Sequence, residues 1–304
     1  MKIANTTEEF LILGENNVDK VRYLKKSGFK YIDMSFYDGV AMAPFMNDDW
    51  KERALELKAL ENEIDVKFVQ AHSPAGNYFR EDNADYILNS TIRSIEVCEI
   101  LGIENIVVHF AFAKDISKEE FLEKNAEFFG LLIPVMEKTG VNVLVENSAK
   151  ADLAPSGYYY PSTAKEMLEF LEYKPHPLLH VCWDTGHANM DGPQYNEIIE
   201  LGNRLKAVHI NDNMGKCDQH IAPFMGTINM DEVICALIDS GYKGYFTLES
   251  SSIVKDGNNW LQKRRLYPES TKLFNPPLAV HEAKAKFNFE IAKACLEAYG
   301  IYDV

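Results

Sequence analysis

Several features that assign proteins to common classes are missing from this 304-residue sequence. No apolar run approaches the length of a membrane-spanning helix, and the opening residues, MKIANTTEEF, carry acids where a secretory signal carries bases. The five cysteines form no CxxC pair and are odd in number, so a disulfide framework is not expected. We therefore expect a soluble, cytoplasmic protein with free thiols and no membrane partner.

Basic residues are also scarce. The chain has 31 Lys and Arg against 46 Asp and Glu, which gives a formal net charge of −15. A surface of this charge repels the phosphate backbone of nucleic acids, although a local basic groove can coexist with it. The composition therefore disfavours DNA or RNA as a partner without excluding either.

An unbroken alternation of strand and helix signals runs through the chain, which predicts a parallel sheet. The predicted strands are residues 2–5, 29–34, 66–71, 106–108, 141–146, 178–183, 206–210 and 244–248. The predicted helices include residues 50–63, 118–138, 196–205, 230–240 and 278–299, and the last is expected to bury Val280, Phe287, Ile291 and Cys295. Thr163 and Glu166 have the spacing of a capping box, which predicts one further short helix.

The polar residues at the strand ends reveal a regular period. Six of them stand at positions 72, 109, 146, 184, 209 and 249, separated by 37, 37, 38, 25 and 40 residues, and one eighth of the chain is 38 residues. Eight strands predict a closed (β/α)8 TIM barrel, because a doubly wound sheet has fewer units and a Gly-rich first turn that is absent here.

We expect residues 1–304 to form a single barrel domain with two long loops on the catalytic face, residues 147–162 and 250–277. Such loops commonly form lids or subunit contacts. The second loop is therefore a candidate contact in a homo-oligomer.

Acidic and imidazole side chains are concentrated at the ends of neighbouring strands. Four of these positions are Glu146, Asp184, His209 and Glu249. A lone acid or histidine at a strand end is usually only solvated, but six polar strand ends in a row argue against that reading. Carboxylates gathered on one rim repel each other unless a cation neutralises them, which predicts a site for one divalent metal ion.

Five of the eight histidines fall on the same predicted rim. They are His72, His109, His187, His209 and His220, and Asp218 stands two residues before the last of them. Imidazole and carboxylate together suit Mn²⁺ or Zn²⁺ best, with Co²⁺, Fe²⁺ and Mg²⁺ as alternatives, rather than Ca²⁺. The residues outside the four-residue set are candidates for substrate binding or for a second metal site with additional zinc.

A series of motifs resembles the xylose isomerase-like barrels, a family that includes sugar and sugar-phosphate isomerases and epimerases and also endonuclease IV. The matching segments are QAHSP, IVVHF, VLVENS, WDTGHANM, AVHINDN, DQHIAPFMGTINM and YFTLES, within residues 66–250. Their order and spacing, more than any single motif, carry the resemblance.

The resemblance implies roles for particular residues. In epimerases of this kind the residues matching Glu146, Asp184, His209 and Glu249 bind one metal, the two glutamates also act as the acid–base pair, and the residue matching His187 contacts substrate. We therefore expect an isomerase or epimerase of a small sugar or sugar derivative. It would abstract a proton beside a carbonyl and pass through a metal-bound enediolate.

Three alternatives remain open at this stage. Endonuclease IV holds three zinc ions, and all its ligand types are matched here, although the loop after Glu146 reads NSAKADLAPSGYYY and lacks the AGQG turn typical of that nuclease. A sugar-derivative lyase or dehydratase is the second alternative, because proton abstraction beside a carbonyl also begins β-elimination. The third is a non-catalytic barrel or a subunit whose site a partner completes.

Overall fold

In a computed structural model of the chain, residues 1–149, 160–254 and 275–304 are described. The central parts of the two predicted loops, residues 150–159 and 255–274, lie outside the described residues. No helix in the described segments is both long enough and apolar enough to cross a membrane.

Eight parallel strands form one sheet in which consecutive strands are neighbours and β8 pairs with β1. Between β7 and β8, Ile210 N donates to Thr247 O (2.7 Å) and Glu249 N donates to Ile210 O (3.0 Å), which closes the ring. The strands are β1 (Ile3–Thr6), β2 (Tyr31–Ser35), β3 (Lys67–His72), β4 (Asn105–Val107), β5 (Asn142–Glu146), β6 (Leu179–Asp184), β7 (Leu205–His209) and β8 (Phe246–Leu248). The predicted (β/α)8 TIM barrel is confirmed.

Helices follow the strands and pack around the barrel. In chain order they are α1 (Asn17–Lys26), α2 (Gly39–Met42), α3 (Trp50–Glu63), α4 (Ala84–Leu101), α5 (Lys118–Thr139), α6 (Ala164–Tyr173), α7 (Thr185–Asn189), α8 (Tyr195–Leu201), α9 (Met230–Asp239) and α10 (Leu278–Ala298). The bounds of α3 are those predicted. The capping box at the start of α6 is also confirmed, because Thr163 and Glu166 accept each other's backbone N–H groups.

The helix predicted over residues 196–205 is shorter than expected. It ends at Leu201 because Gly202 takes the left-handed backbone angle φ 50°, which favours glycine and terminates the helix. A 3-10 turn over Gly202–Arg204 then leads directly into β7.

The predicted apolar face of the closing helix is buried only in part, since Cys295 is buried and Ile291 packs against the core. Val280 and Phe287 are 38% and 48% exposed, whereas the buried face of α10 includes the polar residues Lys284 and Asn288. The reason is tertiary, since these two side chains contact the buried carboxylate of Glu9 near the start of the chain.

Candidate active site

Four buried side chains meet at the carboxyl ends of β5 to β8. Glu146, Asp184 and His209 are the last residues of their strands, and Glu249 directly follows β8. One ligand atom from each lies within 4.8 Å of the others. We call these four residues the central cluster. Strand pairing produces it, because the carboxyl ends of adjacent parallel strands form one rim.

His209 is oriented by carboxylates on both sides of its ring. Its Nδ1 contacts the Glu146 carboxylate and lies 3.3 Å from Glu249 Oε2. Its Nε2 lies 3.7 Å from an oxygen of Asp33, a buried residue of β2 whose carboxylate oxygens have no hydrogen-bond partner among the described residues. Asp33 therefore attracts the Nε2–H group and leaves Nδ1 directed at the central cluster.

Asp184 is held by three hydrogen bonds from the surrounding loops. Asn211 Nδ2 donates to one carboxylate oxygen (2.6 Å), His187 N donates to the other (2.7 Å), and Asp184 N donates to Asn147 Oδ1 (2.7 Å). Gly186 makes the approach of Asn211 possible, since a Cβ atom there would lie 1.8 Å from Asn211 Oδ1. Every oxygen of the Asp184 side chain is thus fixed before any ligand binds.

A second group, the His72 cluster, consists of His72, His109 and Glu146. His72 Nδ1 donates to Ser73 O (2.8 Å), which turns its Nε2 toward His109 Nε2 at 3.1 Å. His109 Nε2 lies 2.6 Å from Glu146 Oε2. Two ring nitrogens this close need a proton or a cation between them. The Tyr37 ring packs edge-on against both imidazoles.

A third group, the His220 cluster, consists of His187, Asp218 and His220. His187 Nδ1 donates to Asn147 O (2.8 Å) and His220 Nδ1 donates to Glu249 O (3.0 Å). Both rings therefore turn Nε2 toward Asp218 Oδ2, at 3.3 and 2.8 Å. The backbone of His220 has a φ of 48°, a conformation that costs free energy in a non-glycine residue and often marks functional sites.

The two glutamates of the central cluster differ in proton affinity. Burial is the main reason that the pKa of Glu249 is raised to about 8, and neighbouring carboxylates add to the effect. Burial also opposes ionisation of Glu146, but adjacent imidazoles, above all that of His209, hold its pKa well below the ordinary value. Glu249 therefore holds a proton more firmly than Glu146 does.

The His220 cluster forms a proton-sharing group of its own. Burial disfavours charge on its rings, but Asp218 outweighs burial and raises the pKa of His220 to about 10. The pKa of His187 is also raised, with Asp184 and Asp218 overcoming its burial. The pKa of Asp218 is correspondingly lowered by the two rings. A cation bound here has to displace protons from the imidazoles.

A cavity of about 540 Å³ opens over the three clusters. Its floor includes His72, Glu146 and Glu249, and its mouth includes Tyr37 and Asp38. This volume matches that of a site for a small molecule.

All nine residues named in advance from the sequence lie at this site, and each belongs to at least one cluster. The sequence analysis missed Asp33, Asn147 and Asn211, whose side chains face or contact residues of the central cluster. Asn147 directly follows Glu146 in the segment VLVENS, and Asn211 stands two residues after His209 in AVHINDN. Their position next to polar strand ends could have identified them from the sequence. Asp33 lies inside a strand and had no such signal.

The donor set fits a divalent metal ion. The central cluster offers three carboxylates and an imidazole, all buried, within 4.8 Å of one another. His72, His187 and His220 have their Nδ1 atoms engaged by backbone carbonyls, which leaves Nε2 as the ligand atom. Buried carboxylates in this number require a counter-charge, and these residues can hold a metal.

The chain belongs to the xylose isomerase-like TIM barrel family, whose model matches residues 21–269. The family predicted from the motifs is therefore confirmed. A solved structure described as a D-tagatose 3-epimerase-like protein superposes with a TM-score of 0.72 at 20% identity, covering 98% of each chain. A likeness at this identity shows the shared fold.

Two curated relatives represent different activities. Fructoselysine 3-epimerase of Escherichia coli O157:H7 is 29% identical over 125 residues, which are 41% of this chain and 44% of that protein. Probable endonuclease 4 of Sulfurihydrogenibium sp. is 25% identical over 226 residues, which are 67% of this chain and 77% of that protein.

Proposed function

We propose that this protein is a divalent-metal-dependent epimerase or isomerase of a small sugar or sugar derivative. The observation that carries the proposal is the central cluster, in which carboxylate oxygens of Glu146 and Glu249 lie within 4.8 Å of each other.

The residues have distinct roles in this proposal. A divalent ion held by the central cluster, Mn²⁺ or Zn²⁺, supplies polarisation of a substrate carbonyl, which makes the adjacent C–H acidic. One glutamate removes that proton, and the other returns a proton on the opposite face for epimerisation. Delivery to the neighbouring carbon gives aldose–ketose isomerisation instead. His187, on the cavity side of Asp184, is positioned to bind a substrate hydroxyl.

The cavity lining favours a substrate without phosphate. Among the described residues, its charged side chains other than histidine are all acidic and include Glu8 and Asp38 near the mouth. Acidic walls repel a phosphate group and accept hydroxyl or ammonium donors. We therefore propose an unphosphorylated ketose or an amino-substituted derivative.

Solvent deuterium uptake tests the acid–base pair. Glu146→Gln and Glu249→Gln should each abolish epimerisation, and each should abolish exchange of the C–H proton with D₂O for the one epimer whose proton the missing carboxylate removes. Glu119→Gln, on the exposed side of α5, is the matched control and should exchange as wild type does. Full exchange in both active-site variants would refute the assignment. Screening ketoses and keto-inositols in this assay would also identify the substrate.

A second candidate function is a three-zinc phosphodiesterase acting on abasic DNA. The specific observation in its favour is that the His72 and His220 clusters flank the central cluster, so that three ligand groups meet at one site. Metal analysis of protein purified without added metal distinguishes the epimerase from the nuclease. One ion per chain without DNA cleavage supports the epimerase, and three zinc ions with cleavage of abasic DNA support the nuclease. A chain without metal would fit a non-catalytic barrel.

A further inference from the structure

A buried ion pair joins the two ends of the chain at the catalytic face. Lys284 Nζ of α10 lies 3.1 Å from Glu9 Oε1, in the 3-10 helix Thr7–Leu13 after β1, and the two side chains are 2% and 0% exposed. Burying two charges costs more free energy than their pairing usually returns, and apolar residues of similar volume often stabilise a fold as well. The pair therefore calls for a role other than stability.

Further hydrogen bonds connect this pair to the chain segment beside the proposed catalytic glutamate, in addition to those within the pair and from Asn5. Lys284 Nζ donates to Ser251 O (2.8 Å). Asn288, one helical turn further along α10, donates to Glu9 Oε2 (3.1 Å) and to Ser250 O (3.4 Å). Ser250 and Ser251 directly follow Glu249. The last helix thus holds two consecutive carbonyls next to that glutamate.

Glu249 needs such support because its strand is short. β8 has three residues, and Glu249 lies just beyond it, with its N–H donating to Ile210 O (3.0 Å). The Glu249 carbonyl accepts from His220 Nδ1 (3.0 Å), and the next link along the chain is Ser252 N, which donates to His220 O (3.1 Å). Between these two bonds, the carbonyls of residues 250 and 251 are fixed by α10.

The network also adjoins the cavity, because Ser251, Ser252 and Glu8, the neighbour of Glu9, are among the residues that line it.

We propose that Glu9, Lys284 and Asn288 are positioning residues that set the place of the Glu249 carboxylate in the central cluster. This inference rests on the proposed function, since it assumes that Glu249 binds the metal and moves a proton. It predicts that the metal affinity of the central cluster depends on Glu9, Lys284 and Asn288, although none of them contacts the side chain of a proposed metal ligand.

Three variants separate positioning from plain stabilisation. Lys284→Met leaves the Glu9 carboxylate buried without its cation, which should lower the melting temperature. The double variant Glu9→Gln/Lys284→Met leaves no unpaired charge buried, so its melting temperature should be close to that of wild type. Ser251 O still lacks its hydrogen-bond donor in this variant. Asn288→Ala removes the donor to Ser250 O without changing any charge. Lys293→Met, on the same helix in a surface ion pair with Glu297, is the control.

Two measurements decide the outcome. We expect the dissociation constant for Mn²⁺, measured by calorimetry, to rise at least tenfold in the double variant and about threefold in Asn288→Ala. Amide hydrogen exchange in a peptide covering residues 249–252 should become faster in both variants. Lys293→Met should match wild type in each measurement. The proposal would be overturned if the double variant regained the wild-type Mn²⁺ affinity and amide protection along with the wild-type melting temperature.

The failure of this inference is distinguishable from failure of the proposed function. If the wild-type protein bound no Mn²⁺ and no other divalent ion, the proposed function would fail. The exchange data would then still show whether the network fixes residues 249–252. If wild type binds Mn²⁺ and the variants bind it equally well, with unchanged exchange, the network only stabilises the fold.

Discussion

At the scale of single residues, the orientation of His209 depends on a carboxylate beneath it. Asp33→Asn removes the charge that faces His209 Nε2 at 3.7 Å and should raise the Mn²⁺ dissociation constant by about 10–100-fold, the usual cost of losing such a partner. Calorimetric titration measures this. The control is Asp65→Asn, which removes an exposed carboxylate at a position of φ 53° that asparagine tolerates. Unchanged affinity in Asp33→Asn would mean that packing alone orients the ring.

The pKa shifts predict that metal affinity depends on pH. In the metal-free protein, the pKa of Glu249 is about 8 and that of His220 about 10, so both hold a proton at pH 7. A metal ligand has to release its proton, which makes Mn²⁺ binding weaker at pH 6 than at pH 8 and accompanied by proton release. Calorimetry in buffers of different ionisation enthalpy measures the protons released. A dissociation constant that stays constant across this range would contradict the raised pKa values.

At the scale of elements, the junction between β6 and α7 depends on one glycine. Gly186→Ala places a Cβ atom 1.8 Å from Asn211 Oδ1, and Asn211 is the residue that donates to Asp184. We expect a loss of stability of about 1–3 kcal/mol from overpacking, together with weaker metal binding. Urea unfolding and Mn²⁺ titration measure the two effects.

A matched control for this substitution lies in α5. Gly130→Ala meets only the flexible end of the Lys174 side chain, with Nζ at 3.1 Å, and should stabilise the helix by about 0.5–1 kcal/mol. If Gly186→Ala behaved like Gly130→Ala, the close approach of Asn211 would have no role in the site.

At the scale of the whole molecule, metal binding should be coupled to the stability of the barrel. Three buried carboxylates that repel one another come from three separate strand ends, so a cation binds the folded chain far better than the unfolded one. Mn²⁺ at 100 times its dissociation constant should add about 2.7 kcal/mol to the free energy of unfolding. Chelation with EDTA should reverse this, and Glu146→Gln should reduce the gain. An equal gain in that variant would place the ion elsewhere.

The fold and most of the candidate site could be predicted because the signals are local. Each central strand is a short apolar run, and the residue that ends it, such as Glu146 or His209, reaches the rim through the geometry of its own strand. Eight such units leave a closed parallel barrel as the consistent arrangement. Six of the nine candidate residues could be named for the same reason, since they stand at or next to strand ends, which converge in a barrel, whereas His187, Asp218 and His220 lie in the segments that follow β6 and β7.

The sequence by itself determined the barrel, the rim and the residue types that could hold a cation there, because hydrophobic periodicity and strand ends are properties of neighbouring residues. Only the tertiary structure decided which atoms of those residues point inward and what holds them. Asp33 faces His209 Nε2 at 3.7 Å across the barrel, and Lys284 meets Glu9 across 275 residues of chain, which turned the polar face of the last helix inward. Contacts at such sequence separation leave no periodic signal, because they depend on how the barrel closes.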